Sequence, residues 1–528
     1  MRDQHTILGL GGFDHNASIT VVRGGEVIAF LEAERVTREK NIGFISAEIL
    51  DSTLAALDIG QIDHVALADA KYVDARREWL DPWLAAKYPS ATTSIHLHHA
   101  CHSAASFWTS GYDSALVISI DGKGDGLSAM AALMDRSGRI DQVLTVPSSS
   151  SIGRLWWATS AACGLGDHHA AGKTMALAGL GTPRFYEAIS SIIKFLPDAG
   201  FRFLPPSEEP MRYRESPLFA NWLESLVGGP PLTGIRHADL AASVQKVTEE
   251  VLAHIVGCLV RKTGVRRVCL GGGVALNGLA NQRLLVTGAV DALYVPFVPD
   301  DRGLSLGAAA LAVTQLGHNT WRWFPSPFLG PPPSEISHPT GFETPYHDSI
   351  GAAADLLVAG GIVARFGGRD EAGPRALGNR SILASPVAID TARRLNATVK
   401  QREHFRPFGC SILASRAADW LEMDGPSPYM LRIVPVRAEK RAFVPAIVHA
   451  DGTTRPQTVT YESHPVLAKL LAAVEHRGHP PLLLNTSLNG RGEPIAHRWR
   501  DAVQMATRMG LDGILTDDQL FVPIKDGS

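Results

Sequence analysis

Two histidines four residues apart are the first candidates for chemistry. The segment His98-His99-Ala100-Cys101-His102 runs on into small and apolar residues whose pattern reads as a helix over 103–108. On a helix, positions i and i+4 share a face, so the imidazoles of His98 and His102 project together and can bind one divalent ion. The same spacing fits a helix whose histidines ligate nothing. Further ligands are expected at strand ends. Asp121 follows the apolar strand ALVISI directly, and Asp301 sits in PDDRGLSLGAAA, a loop leading into a small-residue helix. Two histidines and two carboxylates suit Fe2+, Mn2+ or Zn2+.

Other segments could approach phosphate. Arg267–Leu270 reads as a short strand entering Gly271-Gly272-Gly273-Val274-Ala275-Leu276-Asn277. A strand that ends in glycines and opens a helix lets the backbone come close to an anion. A tight strand–helix turn explains the same residues. Gly172-Lys173-Thr174-Met175 lacks the glycine spacing of a Walker loop, but Lys173 offers a point charge to phosphate, or is simply solvated at a helix start. His15, in the first glycine-bounded loop, could take a proton near neutral pH, or bond local backbone. Lys40, after the Glu/Arg-rich stretch 32–39, reads as a solvated helix residue.

Cations dominate a third region. Arg369, Arg375, Arg380, Lys400, Arg402 and Arg406 fall within 38 residues among turn formers, followed by Arg455 in DGTTRPQT and by Asn485, Ser487 and Asn489 in NTSLNGRGEP. Guanidinium forks on Gly/Pro loops suit phosphate and carboxylate bidentately. In a nearly neutral chain such a cluster points to a polyanion pocket rather than a basic solvated face.

The elements that must position these residues follow a repeated plan. ILGLGG, a polar turn, SITVV, a turn at 23–26 and VIAFLEAER are echoed by ALVISI, the loop 121–126, SAMAALM and a turn at 135–138. Such a duplicated hairpin recurs in the actin-like ATPase fold, where the two polar loops hold nucleotide phosphates. Residues 238–263 carry helical periodicity. Five prolines within nine residues, Pro325–Pro333, mark a linker. The division expected is an N-terminal domain over 1–326 and a C-terminal domain over 345–528.

The 528 residues carry 50 Lys+Arg and 53 Asp+Glu, a formal charge of −3, which argues against a dedicated nucleic-acid binder. Hydrophobic residues make up 45%, so the chain is globular rather than disordered. Five dispersed cysteines exclude a disulfide scaffold and a zinc finger and favour a reducing compartment. No signal-peptide pattern and no apolar run of about 18 residues occurs, so a cytoplasmic protein is expected.

Taken in order, FDHNAS, LEAERVTREK, HHACHSAAS, SIDGKGD, GKTMALAGLG, GGGVALN, DDRGLSLGAAA, GPRALGNRS, FRPF, TTRPQTVT and NTSLNGRGEPI resemble the O-carbamoyltransferases of nodulation-factor and antibiotic biosynthesis. The resemblance runs nearly end to end. It implies an α/β protein with a duplicated actin-like ATPase N-terminal domain, similar to threonylcarbamoyl transferases, and a YrdC-like C-terminal domain. The latter would form carbamoyl adenylate from ATP and carbamoyl phosphate, with Mg2+ accompanying ATP. The former would pass the carbamoyl group to a hydroxyl of a small secondary metabolite. By resemblance His98, His102, Asp121 and Asp301 are ligands of Fe2+, His15 is the general base and Lys40 a nearby active-site lysine. Lys123, Gly124, Gly172, Lys173, Gly272, Gly273, Val274 and Asn277 fall in nucleotide-contact segments. Arg369, Arg375, Arg380, Lys400, Arg406, Arg455, Asn485 and Ser487 fall in adenylate-forming motifs. No nucleic-acid or membrane partner is implied, and a homodimer is one arrangement open to the chain. Cys101 stands where relatives often have alanine, and either packs as a small side chain or meets the metal. Residues 182–237 contain none of these motifs and are where acceptor recognition is expected. Two other readings share parts of this pattern: a fused tRNA threonylcarbamoyl transferase, and a nucleotide-gated binding module without covalent transfer.

Overall fold

The computed structural model describes residues 5–68, 73–204, 217–226, 234–317, 326–333 and 335–524. Mixed α/β sheets build two compact units. One comprises Met1–Asp14, Ser18–Val27 and Gln61–Pro325, the other His15–Ala17, Ile28–Gly60 and Ser326–Ser528. The second unit thus takes in residues 28–60, which a linear division assigns to the first.

The echo in the sequence is a repeat in topology. In the first sheet β1 (Thr6–Gly11), β2 (Ser18–Arg23), β3 (Glu26–Glu32), β4 (His64–Ala68) and β5 (Thr92–His96) lie in the order β3-β2-β1-β4-β5. The second sheet uses β6 (Ser114–Gly124), β7 (Leu127–Asp135), β8 (Ile140–Pro147), β11 (Arg267–Gly271) and β12 (Ala292–Tyr294), in the order β12-β11-β6-β7-β8. A small hairpin, β9 (Ile193–Phe195) and β10 (Phe201–Phe203), stands apart. In both sheets the central strand, β1 or β6, pairs antiparallel with the next strand and parallel with a later one. Gly24 and Gly25 turn β2 into β3 with φ of 57° and 78°, the left-handed pair that a two-residue hairpin turn demands.

Two helices, His98–Ser110 and Leu304–Gln315, pack against each other and against strands of both sheets. Their sequences are rich in Ala, Ser and Gly, which lets main chains touch. A Cβ on Gly307 would lie 1.9 Å from the Cys101 carbonyl oxygen, and one on Gly9 of β1 would lie 2.2 Å from that of Ser305. The long helix Ile235–Thr263 matches the periodic stretch expected there and extends it by three residues.

The second unit is built on an eight-stranded sheet. Its strands are β13 (Phe342–Glu343), β14 (Ile362–Phe366), β15 (Arg380–Ala384), β16 (Gly409–Leu413), β19 (Pro456–Val459), β20 (Leu482–Ser487), β21 (Gly513–Leu515) and β22 (Leu520–Pro523), with β17 (Val434–Pro435) and β18 (Thr453–Thr454) pairing separately. Side chains alternate across a strand. One face carries Ile362, Ala364, Ile382, Cys410, Ile412, Leu482 and Leu484 into the larger core. On the other face Val363, Leu383, Leu413, Val459 and Leu483 form a smaller core with the helices Ser349–Val358 and Pro465–His476. That second face changes character along its strands: Arg365, Ser381, Gly409, Ser411, Gln457, Asn485 and Ser487 share its parity but are polar or glycine.

The proline-rich run is not a free spacer in its described part. Leu329 is buried, Gly330 N donates to Asp370 O at 3.0 Å, and Phe328 packs edge-on against His464. The apolar side chains between the prolines pin the segment to the second unit, while residues 318–325 and 334 lie outside the described residues. Parts of the expected acceptor region, 205–216 and 227–233, also lie outside them. Among the described residues no helix is long and apolar enough to cross a membrane, and the five cysteines are free.

The helix contact gives a direct test. Gly307→Ala should destabilise the protein by about 2 kcal/mol or more, because backbone must move. Gly257→Ala, inside the long helix, where the nearest atom is a flexible Arg261 nitrogen at 3.4 Å, should be neutral or stabilise by up to about 1 kcal/mol. Thermal melting of both variants checks the contrast.

Candidate metal and anion sites

In the first unit four side chains from three separate regions of the chain converge. The ligand atoms of His98, His102, Asp121 and Asp301 all lie within 4.8 Å of one another. The helix supplies both imidazoles, whose Nε2 atoms stand 3.0 Å apart. Asp121 Oδ2 lies 3.1 Å from His98 Nε2, and Asp301 Oδ1 lies 3.3 Å from His102 Nε2. Around one ion with ligands at about 2.1 Å, neighbouring ligand atoms stand about 3.0–3.4 Å apart. The residues therefore fit a divalent ion, with two neutral nitrogens and two hard oxygens as donors.

Local structure explains each placement. The β6–β7 ladder pairs Ile120 with Ala129 and then Gly124 with Leu127, so Asp121, Gly122 and Lys123 face only Ser128 and bulge out of register. The bulge turns Asp121 toward the helix, where the sequence suggests a plain loop. Asp125 Oδ2 accepts from His98 N at 2.6 Å and holds the helix start. Gly124 must lack a side chain, since a Cβ would fall 2.1 Å from His98 Cδ2. Gly273 N donates to Asp121 Oδ1 at 2.9 Å, which ties the glycine loop after β11 to the group. Asp300 Oδ1 accepts from Arg302 N and orients the turn that carries Asp301. Burial would raise the Asp121 carboxyl, but hydrogen bonds from His102 and His98 outweigh it and hold it well below the usual range. Burial likewise opposes charge on His102, yet Asp121 and Asp301 lift its pKa above the ordinary value.

The other first-unit candidates are distributed unevenly. Gly272 (φ 84°) and Gly273 open the short 3-10 turn Gly273–Leu276, and Val274 is buried within it. Asn277 exchanges two amide hydrogen bonds with Gln245 and caps Ala280 N, so its side chain is engaged in structure. Lys123 is exposed within the bulge. Gly172 and Lys173 lie in the helix Ala171–Ala178, where Lys173 Nζ donates to Leu165 O at 3.3 Å. Cys101 is buried and is not one of the four residues that converge as ligands among the described residues.

In the second unit the polar end of the sheet face collects cations. Arg455 lies two residues before Gln457, on that face; its guanidinium makes no hydrogen bond or ion pair among the described residues. Burial lowers its pKa well below the usual guanidinium range, and Arg375, Arg402 and Arg406 push in the same direction. Lys400 is also lowered well below its ordinary value, first by burial and then by Arg402, Lys40 and Arg406. Its Nζ donates to Asn489 Oδ1 at 2.8 Å and to Ser487 O and Asn489 O. Burial pushes Arg402 down to about 9, and its guanidinium lies over Phe408. Several crowded, partly desolvated cations with few carboxylates among them suit a polyanion. Lys40 belongs to this unit, close enough to depress Lys400.

Two arginines of the expected set do structural work instead. Arg380 has the opposite strand parity; it stacks on Phe366 at 3.9 Å and binds Asp370, Gly367 O, Gly368 O and Asn379 O. Arg369 spends its donors on Gly330 O, Leu329 O and Ile28 O. His15 Nδ1 lies 2.8 Å from Asn16 Nδ2. A neutral His15 accepting there carries its proton on Nε2, so base work at Nε2 requires the Asn16 amide to turn over. Sequence reasoning missed Arg35, a buried cation that binds Glu32, Glu371 O and Gly373 O and fastens the LEAER segment within the second unit. It also missed Gln457, buried at the polar end of the sheet face. The only signal for either was residue type, since neither stands in a spacing that implies a ligand.

Known proteins carry the same order of segments. A family model described as Carbamoyltransferase N-terminus matches residues 86–310, and one described as Carbamoyltransferase C-terminus matches 354–522. Nodulation protein NolO of Bradyrhizobium diazoefficiens is 35% identical over 438 residues, covering 79% of this chain and 77% of the relative. The chain belongs to the carbamoyltransferase family. It is an enzyme, an O-carbamoyltransferase. Nodulation protein NolNO of Sinorhizobium fredii is 31% identical, over 96% of this carbamoyltransferase and 79% of the relative. Among solved structures, full-length HypF in a phosphate- and nucleotide-bound form aligns with a TM-score of 0.40 and 15% identity, over 61% of this chain and 48% of HypF.

Two measurements follow for this carbamoyltransferase. Calorimetric titration with a divalent ion should find one strong site, which His102→Ala weakens by about a hundredfold or more. Sulfate, whose charge does not titrate, should raise the melting temperature by filling the cationic pocket. Lys400 is charged below its depressed pKa and loses its proton above it. The sulfate effect should therefore weaken as pH rises through that depressed pKa, and Lys400→Met should remove this pH dependence.

Proposed function

We propose that this enzyme transfers a carbamoyl group in two steps, to a hydroxyl of a small secondary metabolite such as an antibiotic precursor. In the first, the second unit acts as a YrdC-like adenylate former. Water splits carbamoyl phosphate into phosphate and carbamate; the carbamate oxygen attacks the α-phosphorus of ATP, giving carbamoyl adenylate and pyrophosphate. Arg375, Arg406, Arg455 and Lys400 offset charge on the phosphates and on the leaving pyrophosphate. The second step is a transfer of the duplicated actin-like ATPase type. The acceptor oxygen attacks the carbamoyl carbon, AMP leaves, and His15 takes the hydroxyl proton.

The observation that carries this reading is the convergence of His98, His102, Asp121 and Asp301 in a chain of this family. An ion held there, Fe2+ by the family resemblance, would supply charge stabilisation to the nucleotide phosphate and the carbamoyl carbonyl. Gly124, Gly272 and Gly273 let main chain close on the group, since a Cβ at each would meet His98, Ile120 O or Asp121. Mg2+ is expected with ATP, and the cytoplasm is the expected compartment. The formal charge of −3 favours a small acceptor over a nucleic acid.

The protein mixed with ATP and carbamoyl phosphate, without acceptor, should release pyrophosphate. His15→Asn should keep that release and lose carbamoylated product by about a hundredfold or more, read by mass spectrometry of hydroxylated acceptors. Joint loss of both activities would contradict the division of labour.

A further inference from the structure

Asn485 holds a buried acceptor whose orientation is dictated by a single carbonyl. Leu377 O can only accept, so Gln457 must present Nε2 to it, at 2.7 Å. Gln457 Oε1 then faces Ser411, whose hydroxyl donates to it at 2.7 Å. Having spent its proton, Ser411 Oγ can only accept, and it takes Asn485 Nδ2 at 2.8 Å. Nδ2 also faces Gln457 Oε1 at 3.3 Å and Ala376 O at 3.4 Å. Every group on that side is an acceptor, so the amide cannot turn over without setting oxygen against oxygen. Its Oδ1 therefore points the other way, and it is buried with no hydrogen-bond partner among the described residues.

The arrangement is well enclosed: Ser411, Asn485 and Gln457 are 0%, 1% and 4% exposed. Gly409, directly across the ladder from Asn485, contributes no side chain. A Cβ there would meet Arg455 Nε at 3.6 Å. The open acceptor thus shares the polar end of the sheet face with the cation that lacks a partner. A ligand suited to both is an anion with an N–H group at one end.

We propose that Gln457, acting through Ser411, is a positioning residue that makes the second unit select a carbamoyl group, by presenting Asn485 Oδ1 to the carbamoyl N–H. This rests on the adenylate-forming role proposed above. Acetyl phosphate has nearly the same shape, with a methyl in place of the amino group, and leaves Oδ1 unpaired. A site built to bond an N–H rejects the analogue that lacks it.

The test measures pyrophosphate release from ATP with carbamoyl phosphate and with acetyl phosphate, acceptor omitted. The unaltered enzyme should prefer carbamoyl phosphate in kcat/KM by about a hundredfold or more. Gln457→Leu frees the Asn485 amide and should cut that preference by about tenfold or more, mainly through KM for carbamoyl phosphate. Ser411→Ala should reduce it in the same direction, and carries the test if Gln457→Leu does not show a cooperative melt. A preference unchanged in the folded variants, or an equal loss toward both phosphates, overturns the proposal. Pyrophosphate release from the unaltered enzyme with neither phosphate would instead overturn the adenylation reading beneath it.

Discussion

Close approach of main chain to main chain is the constraint on which the first unit depends. The helix His98–Ser110 reaches the helix Leu304–Gln315 only because Gly307 offers no Cβ to the Cys101 carbonyl. It reaches β11 only because Gly271 offers none to Ser106 and His102. The same closeness sets Asp301, at the start of one helix, beside His98 and His102, at the start of the other. A side chain at any of these glycines would force the elements apart and disturb the spacing of those ligand atoms. The alanine and serine content of both helices is therefore a requirement of the ligand group as much as of the core.

The second unit depends on strand parity. A single sheet face runs from aliphatic residues under two helices to glycine, serine, amide and arginine at its other end. Parity sorts the arginines: Arg455 lies on the polar face, while Arg380 falls on the opposite one and is consumed by Asp370, backbone carbonyls and Phe366. Buried cations that lower one another's pKa are costly to keep together. A bound anion would offset that cost, and few carboxylates stand around Arg455 and Lys400 to do so.

The two units divide the chemistry as they divide the fold. In the first, an i, i+4 histidine pair and two carboxylates make a donor set for an ion. In the second, guanidinium groups and an oriented amide gather at one polar end of a sheet face, a setting suited to an anion. The buried Arg35 network fixes residues 28–60 into the second unit, so the segment LEAERVTREK, with Lys40 at its end, serves the cationic side of the protein.

Much of this was legible in the chain. The i, i+4 spacing put His98 and His102 on one helix face, because helical geometry is local. Asp121 and Asp301 were found from their place beside strand and helix ends, and the two-sheet repeat from its echoed hairpins. The ordered motifs announced the carbamoyltransferase family. What only the tertiary structure decided was everything set by contacts between distant segments. It assigned residues 28–60 to the second unit through Arg35, whose partners lie more than 330 positions away. It turned Arg369 and Arg380 from ligands into braces, and it oriented Asn485 through Gln457 and a carbonyl. Local spacing encodes which side chains share a face; which hydrogen-bond donor finds which acceptor across the sheet is settled only when the strands have paired.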